Sequence, residues 1–146
     1  MSTLESLLKN GLIAQLTAND TFWVSVGGTA GGTGNGRLRY IKEGAGIARP
    51  YVRFSFGPSA QEGAFLKDAP VATEVLVYFD VFSDSGGTLE MENITGYIQT
   101  VMNPLSLTLT GYHAMRFRAG PVTASKEDDT GFFHTNMLYR SYANPS

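Results

Sequence analysis

The sequence contains no cysteine among its 146 residues. This absence excludes a disulfide framework, a thiol nucleophile and a thiolate metal site. Long apolar runs are also missing, because no stretch approaches the roughly 20 consecutive apolar residues that a membrane-spanning helix needs. The segment from Met1 to Glu5 lacks the basic start and the apolar run of a secretion signal. The sequence therefore predicts a soluble, cytoplasmic protein with no membrane partner.

Charged residues are sparse as well. Lys, Arg, Asp and Glu together make up 16% of the chain, and the formal net charge is −2. This balance lacks the positive footprint of a dedicated nucleic-acid binder. Hydrophobic residues, in contrast, reach 42% and include nine Phe and seven Tyr. A chain of this size and composition forms an independent core, which excludes intrinsic disorder and predicts one domain over residues 1–146.

Two segments have the apolar spacing of amphipathic helices. The first begins at Ser2 and Glu5, which fit a capping box, and the pair Asn19-Asp20 is its predicted end. The second covers residues 88–102 and ends at Asn103-Pro104. Their apolar stripes are Leu4, Leu7, Leu8, Leu12 and Leu16 in the first helix, and Met91, Ile94, Ile98, Val101 and Met102 in the second.

Apolar residues alternate with polar ones over residues 51–56 and 71–83, which predicts two half-buried strands. Shorter strands are expected at 38–41, 105–109 and 112–119, and a longer one at 132–142. The pair Gly120-Pro121 marks a bulge or a strand end. The order of helix, strands, helix and strands predicts an α+β fold, a mostly antiparallel sheet with two helices packed on one face.

Two long polar segments interrupt these elements. Residues 27–36 contain six glycines, whose ordering costs much backbone entropy, so we expect a loop or hairpin tip that stays mobile until a partner holds it. No lysine follows a glycine there, which argues against a phosphate-binding loop. Residues 57–70 form the second predicted loop. The candidate docking residues in the two segments are Gly27, Gly28, Gly31, Gly32, Gly34, Gly36, Glu62, Lys67 and Asp68.

No group of residues has the pattern of an active site. The segment from Asp84 to Gly87 resembles the nucleophile segment of chymotrypsin-like proteases, but no histidine precedes it to act as the base. His113 and His134 lack a third metal ligand at a suitable spacing. We therefore predict no catalytic residues, no metal and no cofactor. A small ligand-binding or hydrolase domain remains a remote alternative.

The face of the sheet opposite the helices is the informative feature. It combines large aromatics with arginine, which is the composition of a protein interface. The predicted members of this interface are Tyr51, Arg53, Glu74, Leu76, Tyr78, Asp80, Phe82, Arg116 and Arg118, with Tyr112 beside them. The alternative is that loops or chain termini of the same molecule cover this face.

The order of elements resembles the tail terminator, or tail completion, proteins of long-tailed bacteriophages. The resemblance covers nearly the whole chain and is carried by the helix from Leu4 to Leu16, the strand 49–54, the hairpin to residues 74–82, the helix 89–102 and the closing strand. The glycine tract is longer than that family leads one to expect.

The resemblance implies a structural, non-enzymatic virion protein. Six copies would form a ring at the head-proximal end of the tail tube, end its polymerisation and join it to head-completion, stopper or connector proteins, while DNA passes through transiently. The docking residues above would contact the neighbouring rings, and Glu127, Asp128 and Asp129 would face the channel. The nearest alternatives are a tail tube subunit and a head–tail adaptor or stopper.

Overall fold

The computed structural model describes residues 3–41, 48–58, 72–127 and 130–146. Three helices and nine strands lie within these ranges. The helices are α1 (Leu4–Ala18), α2 (Asp20–Ser25) and α3 (Leu89–Met102). The strands are β1 (Gly28–Thr29), β2 (Thr33–Gly34), β3 (Leu38–Tyr40), β4 (Tyr51–Phe56), β5 (Thr73–Phe82), β6 (Ser106–Leu107), β7 (Met115–Arg116), β8 (Arg118–Lys126) and β9 (Phe133–Ala143).

Five strands form the main sheet in the order β3-β4-β5-β9-β8. The pair β3–β4 is parallel, and the other three pairs are antiparallel. The longest ladder joins β5 to β9, from Thr73 opposite Ala143 to Phe82 opposite His134. The predicted α+β class and the mostly antiparallel sheet are confirmed, although the parallel pair and a third helix were not predicted.

The core lies between one face of this sheet and the helices. The alternation predicted for β4 and β5 is confirmed, since every second residue of both strands is buried. The leucine stripe of α1 covers them, as predicted from its spacing. The main core residues are Leu4, Leu8, Leu12 and Leu16 from α1, Val52, Phe54 and Phe56 from β4, Val75, Val77, Phe79 and Val81 from β5, Ile94 and Ile98 from α3, and Met137 and Tyr139 from β9.

The start of α1 differs from the predicted capping box. Thr3 is the N-cap, and its side-chain oxygen accepts a hydrogen bond from the Ser6 amide at 3.1 Å. Ser2 lies outside the described residues. The Glu5 carboxylate accepts a hydrogen bond from the Tyr40 hydroxyl and so ties α1 to β3. Burial, followed by this hydrogen bond and the charge of Glu5, raises the pKa of Tyr40 above its ordinary value.

The short helix α2 begins directly after Asn19, at the predicted end of α1. Asn19 ends α1, and its side-chain oxygen also accepts a hydrogen bond from the Phe22 amide at 2.9 Å, which caps α2. Phe22 and Trp23 are both buried. A helix of six residues is too short to show the helical period in the sequence.

Trp23 explains the glycine tract. Strands β1 and β2 pair as a small hairpin, and the Trp23 indole N–H donates a hydrogen bond to the Thr33 carbonyl at 2.6 Å. A Cβ atom at Gly28 or at Gly36 would lie 2.3 Å from indole atoms, which no side chain tolerates. The predicted hairpin tip is confirmed. The sequence pattern predicted that a partner holds this tract, whereas in the structure Trp23 of the same chain packs against it.

Strand β8 extends further than the pattern predicts. The expected strand at 112–119 is divided into β7 and the start of β8, and β8 then continues to Lys126 through a register shift between Ala119 and Val122. Gly120 and Pro121 occupy this bulge, where the missing proline N–H does not interrupt the ladder. The predicted bulge is therefore confirmed, and the alternative of a strand end is wrong.

We predict that Gly36→Ala destabilises the fold by about 1–3 kcal/mol, because the added methyl group overlaps the buried indole. Gly36 has no positive φ angle, so the effect measures steric overlap and not backbone strain. Urea unfolding followed by tryptophan fluorescence gives the change in the free energy of unfolding.

Gly86→Ala is the matched control. A Cβ atom at Gly86 meets nothing within 4 Å, and the φ angle of this residue is not positive. A change within about 0.5 kcal/mol is expected for this exposed position. Equal stability of the two variants would contradict the role assigned to Trp23.

Candidate assembly surface

A buried carboxylate organises the face of the sheet opposite the helices. Asp80 on β5 is only 6% exposed. Its Oδ2 atom accepts two hydrogen bonds from Arg53 on β4, at 2.9 and 3.1 Å. Its Oδ1 atom lies 2.8 Å from the Asn136 side-chain nitrogen and 3.2 Å from His134 Nε2, both on β9. One side chain thus connects three neighbouring strands.

Opposing effects act on the Asp80 carboxyl group. Burial alone would raise its pKa, because desolvation disfavours the charged form. The hydrogen bonds and charges of His134 and Arg53 outweigh burial, and the pKa lies below its ordinary value. Asp80 is therefore a structural anion.

Three stacked rings run across the same strands. Tyr51 and Phe82 are opposite each other with ring centroids 4.5 Å apart, and Phe82 and His134 follow at 4.4 Å. The guanidinium groups of Arg49 and Arg53 lie 5.6 and 5.3 Å from the Phe82 ring centroid. These stacking and cation–π contacts cover ring faces that water would otherwise meet.

Arg49 connects the segment before β4 to the residue that follows β8. Its guanidinium donates two hydrogen bonds to the Glu127 carboxylate, at 2.6 and 2.9 Å. Hydrogen bonding to Glu127 raises the pKa of Arg49 above its ordinary value. Glu127, a predicted channel-facing residue, is therefore bound to Arg49, while Asp128 and Asp129 lie outside the described residues.

The predicted interface residues have unequal exposure. Tyr51 is only 7% exposed, and Asp80 is buried as well. Cross-strand stacking covers the Tyr51 ring, so this predicted interface residue offers little surface to a partner. Tyr112 packs against the core cluster and does not belong to this face. The half-buried members are Arg53, Glu74, Leu76, Tyr78 and Phe82, whereas Arg116 and Arg118 are exposed.

The predicted docking residues divide in a similar way. Most of the glycine tract is exposed, but Gly36 is buried beneath Trp23 and Gly28 is half-buried. Glu62, Lys67 and Asp68 lie outside the described residues. Within the tract, open surroundings are found at Gly31 in the hairpin turn, where a Cβ would meet nothing within 4 Å.

A cavity of about 470 Å³ opens beside the bulge of β8. We call it the arginine pocket, because the side chains of Arg116, Arg118 and Arg140 line it. Its remaining wall is formed by Ala119, Gly120, Pro121, Leu138, Ser141 and Tyr142. Arg140 forms an ion pair with Glu74 at 3.5 Å. The pocket therefore combines positive charge with an apolar wall.

Strand β8 is an edge of the main sheet, and all nine of its residues are exposed. An edge strand presents unpaired backbone groups to which another chain can add. Pro121 and Lys126 are the kinds of residue that limit uncontrolled pairing at such an edge. The long uncovered edge and the arginine pocket lie together on one side of the molecule.

The described residues form neither a metal site nor a membrane-spanning helix. Within the described ranges, no group of three or more His, Asp or Glu side chains is arranged to hold a metal ion. No helix in the same ranges is long and apolar enough to cross a membrane.

Sequence similarity does not identify the protein, since neither a protein-family model nor a curated protein matches the chain. Structural similarity is more informative. The chain shares its fold with a chain from the virion of a native gene transfer agent (GTA) particle. The TM-score is 0.69 with 14% sequence identity, over 99% of this chain and 99% of the virion chain.

The sequence pattern missed several members of this face. Arg49, His134, Asn136 and Arg140 were not predicted, although each is needed for the contacts described above. The alternation of residues 132–142 gives the face of His134, Asn136 and Arg140 once the register with β5 is known. That register joins residues distant in the chain and is not visible in a single sequence.

We predict that Asp80→Asn lowers the free energy of unfolding by about 2–3 kcal/mol, because it removes the buried charge that pairs with Arg53 and His134. Glu74→Gln is the matched control on the same strand and face, where the ion pair with Arg140 is exposed and costs under about 1 kcal/mol to remove. Chemical denaturation measures both. Equal effects would contradict the central role of Asp80.

The lowered pKa of Asp80 also predicts a pH dependence. The ordinary pKa is 3.8, so between that value and the folded-state pKa the unfolded chain binds more protons. The stabilisation from Asp80 is present above pH 3.8 and is lost as the pH falls through the folded-state pKa. Thermal unfolding below about pH 4 should show a shallower loss of stability in Asp80→Asn than in the wild type. Parallel curves would contradict this assignment.

Proposed function

We propose that this chain is a structural, non-enzymatic protein of a phage-like virion. The observation that carries the proposal is the shared fold with a gene transfer agent virion chain over 99% of both chains. The match thus extends over nearly the whole of both chains and is not limited to a shared fragment. The polar, internally paired sheet face and the uncovered edge β8 support a role in assembly.

We further propose a closed ring at the head-proximal end of a tail tube. Two different surfaces of one chain that fit each other generate a ring when the rotation between copies closes. The arginine pocket and the edge β8 lie on one side of the subunit, away from the helix layer. Six copies would end tube growth, contact the tube on one surface and a head-completion, stopper or connector protein on the other.

DNA is expected only as a passing molecule in this ring. The net charge of −2 suits a conduit, because a strongly basic channel would hold phosphates and slow the passage. The proposed location is the neck of the virion, after assembly in the host cytoplasm. Glu127 is bound to Arg49, and Asp128 and Asp129 lie outside the described residues, so a channel-facing position of these three carboxylates stays a prediction.

A tail tube subunit is the second candidate. The nine exposed residues of β8 favour it, because an open sheet edge can pair between subunits in many successive layers. A head–tail adaptor or stopper would use the same surfaces in a different ring. These roles differ in how far assembly proceeds, which provides the test.

We predict a single-layered ring. Six copies of a 15.8 kDa chain give a particle of about 95 kDa, measured by light scattering across protein concentration, with negative-stain microscopy of the same fractions. Long hollow filaments would instead support the tube subunit. In a second assay, the protein is added to growing tail tubes of the same particle, and shortened tubes with one capped end are expected. Unchanged tube lengths would contradict the terminator role.

A further inference from the structure

Leu89 is an exposed apolar residue with acidic neighbours. It begins α3 and is 70% exposed, more than any other large apolar side chain in the described part of the protein. Glu90 and the exposed Glu92 follow it. The Glu90 carboxylate accepts a hydrogen bond from the Asp84 amide, which holds the preceding turn against the helix. We call Leu89, Glu90 and Glu92 the acidic helix start.

The arginine pocket has the complementary chemistry. Pro121, Leu138 and Tyr142 supply an apolar wall, and Tyr142 is itself 50% exposed. Arg116 and Arg118 have no ion-pair partner among the residues that the structure describes. Planar guanidinium groups bind carboxylates with two parallel hydrogen bonds. The pocket is therefore suited to an apolar side chain accompanied by carboxylates.

We propose that the acidic helix start of one copy docks in the arginine pocket of the next copy. Leu89 then contacts the wall formed by Leu138 and Tyr142. The carboxylates of Glu90 and Glu92 then meet the free guanidinium groups. This inference rests on the proposed ring and specifies the contact between its subunits.

The positions of the two surfaces favour a second copy as the occupant. Helix α3 packs on the core face of the sheet, whereas Arg140 is opposite Leu76 on the other face. A contact between such unlike surfaces is heterologous and repeats from copy to copy around a ring. A nucleic-acid backbone would satisfy the arginines but offers no apolar group for Leu138 and Tyr142.

Spacing along the helix supports the same contact. Leu89 and Glu92 are three residues apart, so their side chains are neighbours on one helix face. Both are exposed, and neither side chain forms a hydrogen bond or ion pair with another residue in the described ranges. The apolar side chain of Leu89 thus complements the apolar wall of the pocket, and the neighbouring carboxylate complements its guanidinium groups.

The test uses the absence of native cysteine, because any disulfide must come from introduced residues. The full-length variant Leu89→Cys/Tyr142→Cys is oxidised mildly and run on a denaturing gel. A ladder of covalent oligomers is expected, at least about tenfold more abundant than in the control Thr100→Cys/Tyr142→Cys. Thr100 is exposed on the same helix, so the control matches the probe in element and solvent access.

A charge exchange provides an independent measurement that does not involve the apolar wall. Arg118→Glu alone and Glu92→Arg alone should each weaken association about tenfold or more, and the two together should restore it. Circular dichroism of each variant verifies the fold. Equal cross-linking of probe and control, or single variants that associate like the wild type, would overturn the proposal.

The outcomes separate this contact from the proposed function. If the wild type forms rings or caps tubes while cross-linking and charge exchange have no effect, the docking contact is wrong and the virion role stands. If the wild type neither associates nor caps tubes, both are wrong. Restoration by the paired charge exchange would support the contact specifically.

Discussion

The buried carboxylate of Asp80 is the constraint on which one whole face of this protein depends. A charge that is 6% exposed must be paired, and its partners come from both neighbouring strands. Arg53 and Asn136 are therefore held in fixed orientations. The adjacent ring stack of Tyr51, Phe82 and His134 requires the same strand register, so electrostatic and packing requirements agree. The side chains of this face therefore bind one another, whereas the end at β8 is exposed and open to other contacts.

The glycine tract shows a second kind of constraint. Low complexity in residues 27–36 suggests mobility, yet two of its glycines lie where an indole ring leaves no room for a side chain. Composition cannot distinguish a glycine required by close packing from one required by flexibility. Here close packing against the indole requires glycine at Gly36. Gly31 instead lies in the hairpin turn and has a positive φ angle, which favours glycine. The packing partner, Trp23, lies in the short α2, which the helical period could not detect.

The sequence alone predicted a large part of the fold because local patterns determine it. The leucine spacing of α1 and the alternation in β4 and β5 arise from burial on one side, and both are confirmed. The parallel β3–β4 pair, the continuation of β8 and the arginine pocket depend on pairings between distant residues. For the same reason the sequence pattern does not show that Tyr51 is buried, since its stacking partner Phe82 is known only from the register. Arg116 and Arg118 could be named as interface residues from composition, but Arg140 could join them only through the β5–β9 ladder.

The place of β9 in the sheet has a consequence for biosynthesis. This strand is the last of the described strands to be made, yet it lies between β5 and β8 and carries His134, Asn136 and Arg140. Its ladder with β5 joins residues 73–82 to residues 134–143, so the contact is non-local and cannot form before residues 134–143 have been made. A nascent or truncated chain without β9 has neither the partners of Asp80 on that strand nor the full arginine pocket. Formation of both the Asp80 network and the arginine pocket is thus coupled to completion of the sheet by the order of its strands.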